Sequence, residues 1–473
     1  MQRPVDPPLF LEPAVSPSPA PVAAQAPVAP DVLPASADAE PYEPDEPDEP
    51  DEPDEPDEPD EPDEPDEPDE PDEPQATPLL TPRDGVPEVV ADEAALERAI
   101  SALAGGTGPL AVDAERASGY RYGQRAYLVQ LRRAGAGTVL IDPVGVPDLT
   151  ALGDAVADVE WVLHAASQDL PCLAEIGMRP RRLFDTELAG RLAGHERVGL
   201  GAIVESLLGY RLEKGHSAAD WSTRPLPESW LRYAALDVEL LVDLRDALED
   251  DLREQGKLEW AHEEFAAIIT AAPREAAAEP WRRTSGLHRV RSRRQLAAVR
   301  SMWLARDEQA QRRDLAPGRV LPDRAIVDAV LTAPPSAGAL EKLPVFSGPR
   351  MRRTSQFWFA ALDQARTLPD SELPGIGAAA GGGAGIPPAN RWSDRDPAAA
   401  QRLAAARAAL AELSEQYHLP AENILEPALL RRLCWSPPQP VDAQSVEDVL
   451  QGGNARSWQV GLVREPLAAA LSD

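Results

Sequence analysis

Cysteine is almost missing from this chain: Cys172 and Cys434 are the only two in 473 residues, and neither has a Cys-x-x-Cys neighbour. A disulfide framework and a thiolate zinc site are thereby excluded. No apolar run approaches the roughly 18 residues that a membrane-spanning helix needs. The N-terminus shows no basic stretch leading into an apolar core of the secretory kind. These absences fit a reducing, cytoplasmic setting with no membrane partner. The length allows about three domains of ~150 residues.

Charge is present in quantity and badly distributed. The formal net charge is −34, but residues 1–74 hold 26 acidic side chains and one basic one. Ten consecutive Glu-Pro-Asp triplets fill Glu43 to Asp72. Proline at every third position removes helical donors, like charges repel, and nothing apolar is available to bury. Residues 1–84 are therefore expected to form a disordered acidic tail. It reads either as a solubilising segment or as one that contacts a basic surface or a protein partner. The reverse holds between Trp281 and Leu368, where 16 Arg and one Lys face seven acids. Such a local reversal suits a surface that meets polyanions.

From residue 85 to about 273 the pattern alternates between strand and helix. Pro109–Ala114, Ala126–Leu131 and Thr138–Ile141 read as strands too close together for helices to intervene, so an antiparallel meander is expected. Glu160–His164 reads as a further strand. Helical spacing covers Ala91–Leu103, Pro147–Ala157, Gln168–Ile176, Thr186–Ala193, Leu200–Leu208 and a long stretch from about Pro227 to Glu254. Beyond Trp281 strand signals almost vanish. Residues 281–368 and 394–473 read as two helical units joined by a glycine-rich linker at 369–393. Leu296-Ala-Ala-Val-Arg300 in the first lines up with Leu403-Ala-Ala-Ala-Arg407 in the second, which suggests duplication.

Four acids stand out against this background. Asp113 and Glu115 are two apart on the first strand, so they share a face. Asp169 follows a strand and a turn. Tyr233 and Asp237 are four apart on a helix and also share a face. Carboxylate oxygens suit hard cations such as Mg²⁺ or Mn²⁺, and two such ions serve phosphodiester hydrolysis. A phenol beside the carboxylates can position water.

The wider motifs are Val112-Asp113-Ala-Glu115-Arg, His164-Ala-Ala-Ser-Gln-Asp169-Leu, Phe184-Asp-Thr186, Asp220-Trp-Ser-Thr-Arg-Pro-Leu226 and Tyr233-Ala-Ala-Leu-Asp237-Val. Together they resemble the exonuclease motifs of the DEDD superfamily in its tyrosine-containing subgroup, and within it ribonuclease D. The basic helical unit resembles an HRDC domain, and the last unit looks like a diverged second copy. The resemblance implies an α/β fold: a ribonuclease H-like mixed-sheet exonuclease domain followed by two all-α HRDC-like domains. It implies a metal-dependent 3′–5′ exoribonuclease releasing 5′-mononucleotides from single-stranded RNA ends, with tRNA precursors or other structured small RNAs as the expected substrates. Asp113 would bridge two divalent cations, Glu115 and Asp237 would complete the first site, Asp169 would serve the second, and Tyr233 would orient the attacking water. The rivals are a 3′–5′ DNA exonuclease and a catalytically inactive nucleic-acid-binding scaffold.

Candidate nucleic-acid contacts follow from position and charge. His164 ends a strand beside Asp169. Gln130 lies on the second strand, within reach of a terminal nucleotide. Lys214 and Arg224 sit in the loop before the long helix. Arg293, Arg294, Arg352 and Arg353 belong to the arginine-rich unit and would meet phosphates.

Overall fold

The computed structural model describes residues 76–213, 215, 218–272, 277–376 and 386–472. The acidic tail to residue 75, Lys214 and the glycine-rich part of the linker lie outside the described residues. Residues 76–84, assigned above to the tail, instead belong to the fold. Thr77–Leu79 forms β1, parallel to β8 (Tyr210–Leu212), and the Thr77 N–H donates to Gly209 O at 2.8 Å. Past the Glu-Pro-Asp repeat the chain again carries apolar side chains, and Leu79 packs against the core.

The main sheet has the order β2 (Val89–Val90), β5 (Gly137–Ile141), β4 (Ala126–Ala134), β3 (Thr107–Arg116), β6 (Glu160–Leu163), β7 (Arg182–Asp185). The expected meander is there: β3, β4 and β5 pair antiparallel, while β2, β6 and β7 join parallel. β7 has no counterpart in the sequence reading, which saw only helix after His164. Its four residues are too few to show a period, and pairing with β6 is what makes them a strand.

Around the sheet lie α1 (Glu93–Gly105), α2 (Thr150–Ala155), α3 (Leu170–Glu175), α4 (Thr186–Ala193), α5 (Leu200–Leu208), α6 (Glu228–Asp237), α7 (Leu241–Glu254) and α8 (Leu258–Thr270). The long helix expected from Pro227 is broken into α6 and α7. Between Ala234 and Leu241 every residue except Asp237 is buried, more than one face of a continuous helix can hide. The break resolves this. Ala234 and Ala235 of α6 pack with Leu128 and Leu140. The α7 stripe Leu241, Leu244, Leu248 and Leu252 joins the separate, larger core that contains Val112 and Leu131. Asp237 is the last residue before the crossing.

The arginine-rich unit comprises α9 (Arg293–Arg313), α10 (Pro317–Val320), α11 (Asp323–Thr332), α12 (Ala337–Leu340), α13 (Pro349–Arg352) and α14 (Ser355–Thr367). Its core is its own, built on Trp281, Met302, Phe346 and Trp358. A capping box at Ser292 and Gln295 starts α9. The last unit comprises α15 (Trp392–Arg395), α16 (Pro397–Tyr417), α17 (Ala421–Ile424), α18 (Pro427–Trp435), α19 (Ala443–Gly452) and α20 (Ser457–Ser472). The order α16, α17, α18 repeats α9, α10, α11: a 21-residue helix, a four-residue helix and a third of nine or ten. Unlike the preceding unit, this one shares a continuous core with the exonuclease domain. Trp260 of α8 stacks on Trp458 at 5.0 Å, and Glu264 accepts from Trp458 Nε1 at 3.1 Å.

The arginine-rich unit also holds the loop that follows Glu115. The Tyr122 hydroxyl donates to Asp307 at 3.2 Å, and the Tyr122 N–H donates to Asp314 at the same distance. The Ala316 N–H donates to Tyr120 O at 3.0 Å, and Arg319 Nε donates to Gly119 O at 2.7 Å. Among the described residues no helix is long and apolar enough to cross a membrane.

Candidate active site

The pleat of β3 separates its two roles. Val112 and Ala114 are buried behind the sheet, and Asp113 and Glu115 emerge together on the other face. Across the crossing from α6 to α7, Asp237 reaches the same place. One carboxylate oxygen from each of Asp113, Glu115 and Asp237 lies within 4.8 Å of the other two. The Tyr233 phenol hydrogen-bonds Asp237 one helical turn away.

Asp169 stands next to this group and outside it. Its carboxylate pairs with Arg116 Nη2 at 3.1 Å. The turn that delivers it is strained, since Ala165 has φ 60° and ψ 51°, a left-handed conformation costly for a residue with a Cβ. Asp185 holds that turn: it accepts from Ala165 N–H at 3.1 Å and Ala166 N–H at 2.8 Å. It also caps α4 through the N–H groups of Glu187 and Leu188. Neither Arg116 nor Asp185 was given a role from the sequence. An Asp-Thr pair opening an apolar helical run is an N-cap signal that points to Asp185.

Crowding of buried acids shows in their protonation. Burial, then the charges of Asp113, Asp237 and Asp169, pushes the Glu115 carboxyl up to about 10. Burial, then Asp113, pushes Asp169 up to about 8, with Arg116 pulling the other way. Asp113 is raised by burial and Asp237 by burial and Asp113. Burial and the three carboxylates raise the Tyr233 phenol, which stays protonated near neutral pH. An all-oxygen donor set with this excess of negative charge fits a hard divalent cation.

A test of this fit follows from linkage. With the metal stripped, the folded carboxyls keep protons that unfolded ones, near pKa 4, have lost. Protons bound in the folded state exceed those in the unfolded state from about pH 4 up through the raised values, so stability falls as pH rises across that window. The thermal midpoint measured in chelator should therefore drop from about pH 5 to about pH 9, and the gap to the protein saturated with divalent cation should widen. Parallel curves would argue against a metal at these residues.

Several expected nucleic-acid contacts have other duties. Gln130 is 0 % exposed, so no nucleotide can reach it. It lies directly across from Asp113 in the β3–β4 register, and its amide has no partner among the described residues. Arg224 spends its fork on Asp142, at 2.7 Å to each oxygen, and on the carbonyls of Tyr127 and Trp221. Arg293 donates to the carbonyls of Leu373 at 2.7 Å and Asp370 at 3.0 Å. Arg294 closes the end of α14 through Ala365 O at 2.9 Å and Leu368 O at 3.0 Å, and pairs with Asp370. In each case unsatisfied carbonyls or a carboxylate compete successfully for the guanidinium. His164 Nδ1 lies 2.9 Å from Thr186 Oγ1, and burial pushes its pKa down to about 4, so it brings no charge to a phosphate at neutral pH. Arg352 and Arg353 are exposed.

Comparison with known proteins places this geometry. Residues 87–253 match the family model of a 3′-5′ exonuclease, residues 295–362 an HRDC domain, and residues 385–471 a 3′ to 5′ exonuclease C-terminal domain. The last unit, expected to be HRDC-like, thus matches a model of its own. Among curated relatives, ribonuclease D of Granulibacter bethesdensis is 33 % identical over 271 residues, covering 56 % of this chain and 68 % of that one. Ribonuclease D of Escherichia coli is 31 % identical over 270 residues, covering 56 % and 71 %. Among solved structures, a protein from Bifidobacterium adolescentis matches with a TM-score of 0.76 and 38 % identity over 84 % of this chain and all of that one. Escherichia coli RNase D, described as an exoribonuclease involved in structured RNA processing, matches with a TM-score of 0.58 and 25 % identity over 77 % and 98 %. The exonuclease family uses divalent metal, which the acidic group suits. The chain belongs to the ribonuclease D family and is a 3′–5′ exoribonuclease.

Proposed function

We propose that this chain trims single-stranded 3′ ends of RNA one nucleotide at a time, releasing 5′-mononucleotides, with tRNA precursors or other structured small RNAs as substrates in the cytoplasm. The observation that carries this reading is the convergence of Asp113, Glu115 and Asp237 within 4.8 Å. Asp113, Glu115 and Asp237 would hold one divalent cation, and Asp113 with Asp169 a second, Mg²⁺ or Mn²⁺ in each case. Bound there, the ions lower the pKa of water and relieve charge at the phosphate.

The chain's own residues do the positioning. The Tyr233 hydroxyl donates to Asp237, which leaves its oxygen lone pairs to accept a hydrogen bond from the attacking water. Water adds to the terminal phosphorus, the bond from phosphorus to the 3′ oxygen breaks, and the shortened RNA keeps a 3′-hydroxyl. Arg116 holds Asp169 in place rather than spending its charge on substrate. Arg352 and Arg353, exposed on a segment with no acid between Glu341 and Asp363, are suited to phosphates further along the RNA.

Time-resolved product analysis on a hairpin RNA with a 3′ tail, in Mg²⁺ and in Mn²⁺, tests this reading. Mononucleotides should appear from the 3′ end, chelator should stop them, and trimming should slow at the duplex. Release from the 5′ end, or oligonucleotide products, would refute it. A matched DNA strand in the same assay decides between RNA and DNA.

A further inference from the structure

The break between α6 and α7 leaves Asp237 at the end of a helix whose continuation packs into a different core. Something must hold that crossing still, because Asp237 has to stay within reach of Asp113 on another element. Glu239 lies in the crossing, two residues after Asp237. Its side chain is 0 % exposed, and Arg132 Nη2 approaches its carboxylate to 3.3 Å, with Arg83 Nε at 3.9 Å. No aligned hydrogen bond reaches either Glu239 oxygen among the described residues, so the charge of Arg132, with the more distant and more exposed Arg83, is what balances this buried carboxylate.

Arg132 is itself fixed. Its Nη1 donates to Thr138 Oγ1 at 2.7 Å and to Asp84 at 3.0 Å. It lies on β4, two residues beyond Gln130 and therefore on the same face, and Gln130 is the cross-strand partner of Asp113. A closed path results: Asp113, across the sheet to Gln130, along β4 to Arg132, through the ion pair to Glu239, and back along the chain to Asp237. Two of the three clustered carboxylates are thus joined by an ion pair outside the carboxylate cluster, whose Glu239 side chain is buried and whose Arg132 guanidinium is partly exposed.

We propose that Arg132 and Glu239 are positioning residues that lock the α6–α7 crossing and so hold Asp237 at metal-binding distance from Asp113. This inference rests on the reading above that Asp113, Glu115 and Asp237 hold a divalent cation. Outer partners that orient metal ligands typically account for about 10–100-fold in metal affinity. Removing one member of a buried pair strands the other charge, whereas replacing both with apolar side chains of similar size is usually tolerated by the fold.

The test is Mn²⁺ binding to the full chain, by calorimetry or by the electron paramagnetic resonance of free Mn²⁺. The proteins compared are wild type, Glu239→Gln and the double variant Arg132→Met with Glu239→Met, each with its thermal midpoint. Mn²⁺ affinity should fall by about 10–100-fold in Glu239→Gln and in the double variant. The KM for RNA at saturating metal should not change. If Glu239→Gln does not fold, the double variant decides. Wild-type Mn²⁺ affinity in the folded double variant, whatever its midpoint, would make the pair merely structural and overturn the inference. Failure of the wild-type chain itself to bind Mn²⁺ would instead remove the metal reading on which it rests.

Discussion

Replacing Asp113 with Ala should abolish nucleotide release while leaving single-stranded RNA binding intact. Asp113 is the residue to which every other part of the site refers. It shares the 4.8 Å cluster with Glu115 and Asp237, and its charge raises the carboxyls of Glu115, Asp169 and Asp237. Divalent cations held by such a cluster contribute several kcal/mol of charge stabilisation at the phosphate. Losing them should cut the rate by at least about 1,000-fold. Affinity for the RNA body depends on contacts elsewhere, including the exposed Arg352 and Arg353, and should survive. The measurement pairs single-turnover mononucleotide release with RNA binding at fixed salt, because phosphate contacts are salt-dependent. Wild-type release by Asp113→Ala would remove the assignment.

Tyr233→Phe should have the next largest effect, with a different signature. The phenol is half-buried, bonded to Asp237, and kept protonated by burial and by the surrounding carboxylates. Phenylalanine fills the same space, so the loss is confined to one oxygen that donates to Asp237 and that, in the proposed mechanism, accepts from the attacking water. A hydroxyl that orients the water being deprotonated acts alongside the proton transfer, whose catalysis is worth about 10²–10⁴ in rate, or about 3–5 kcal/mol, and that range bounds the loss. The drop should fall on kcat, with Mn²⁺ affinity and the KM for RNA little changed. An equal loss in metal affinity would instead mean that the hydroxyl shapes Asp237 rather than the water.

What the sequence disclosed, and what it hid, follows from the range of the interactions. The β3 alternation of Val112, Asp113, Ala114 and Glu115, and the four-residue step from Tyr233 to Asp237, are local periods, and both placed their side chains as read. The helix break after Asp237 was hidden because an all-buried stretch carries no period; only the presence of two cores separates α6 from α7. β7 was hidden because its pairing with β6 is not local. Gln130 is buried, and Arg224, Arg293 and Arg294 have partners that the sequence did not show, for a related reason. Charge and polarity are visible in a sequence, but the carbonyls and carboxylates that claim them lie far off along the chain, such as Asp142 for Arg224 and Leu368 for Arg294. The ion pair of Arg132 with Glu239, 107 positions apart in sequence, was invisible on the same grounds.

The most direct measurement is the anomalous scattering of Mn²⁺ in crystals of the wild-type chain soaked in that ion. The expected result is a peak bounded by carboxylate oxygens of Asp113, Glu115 and Asp237, with a second between Asp113 and Asp169. No peak at these residues under conditions that support nucleotide release, or one at a different acidic cluster, would contradict it.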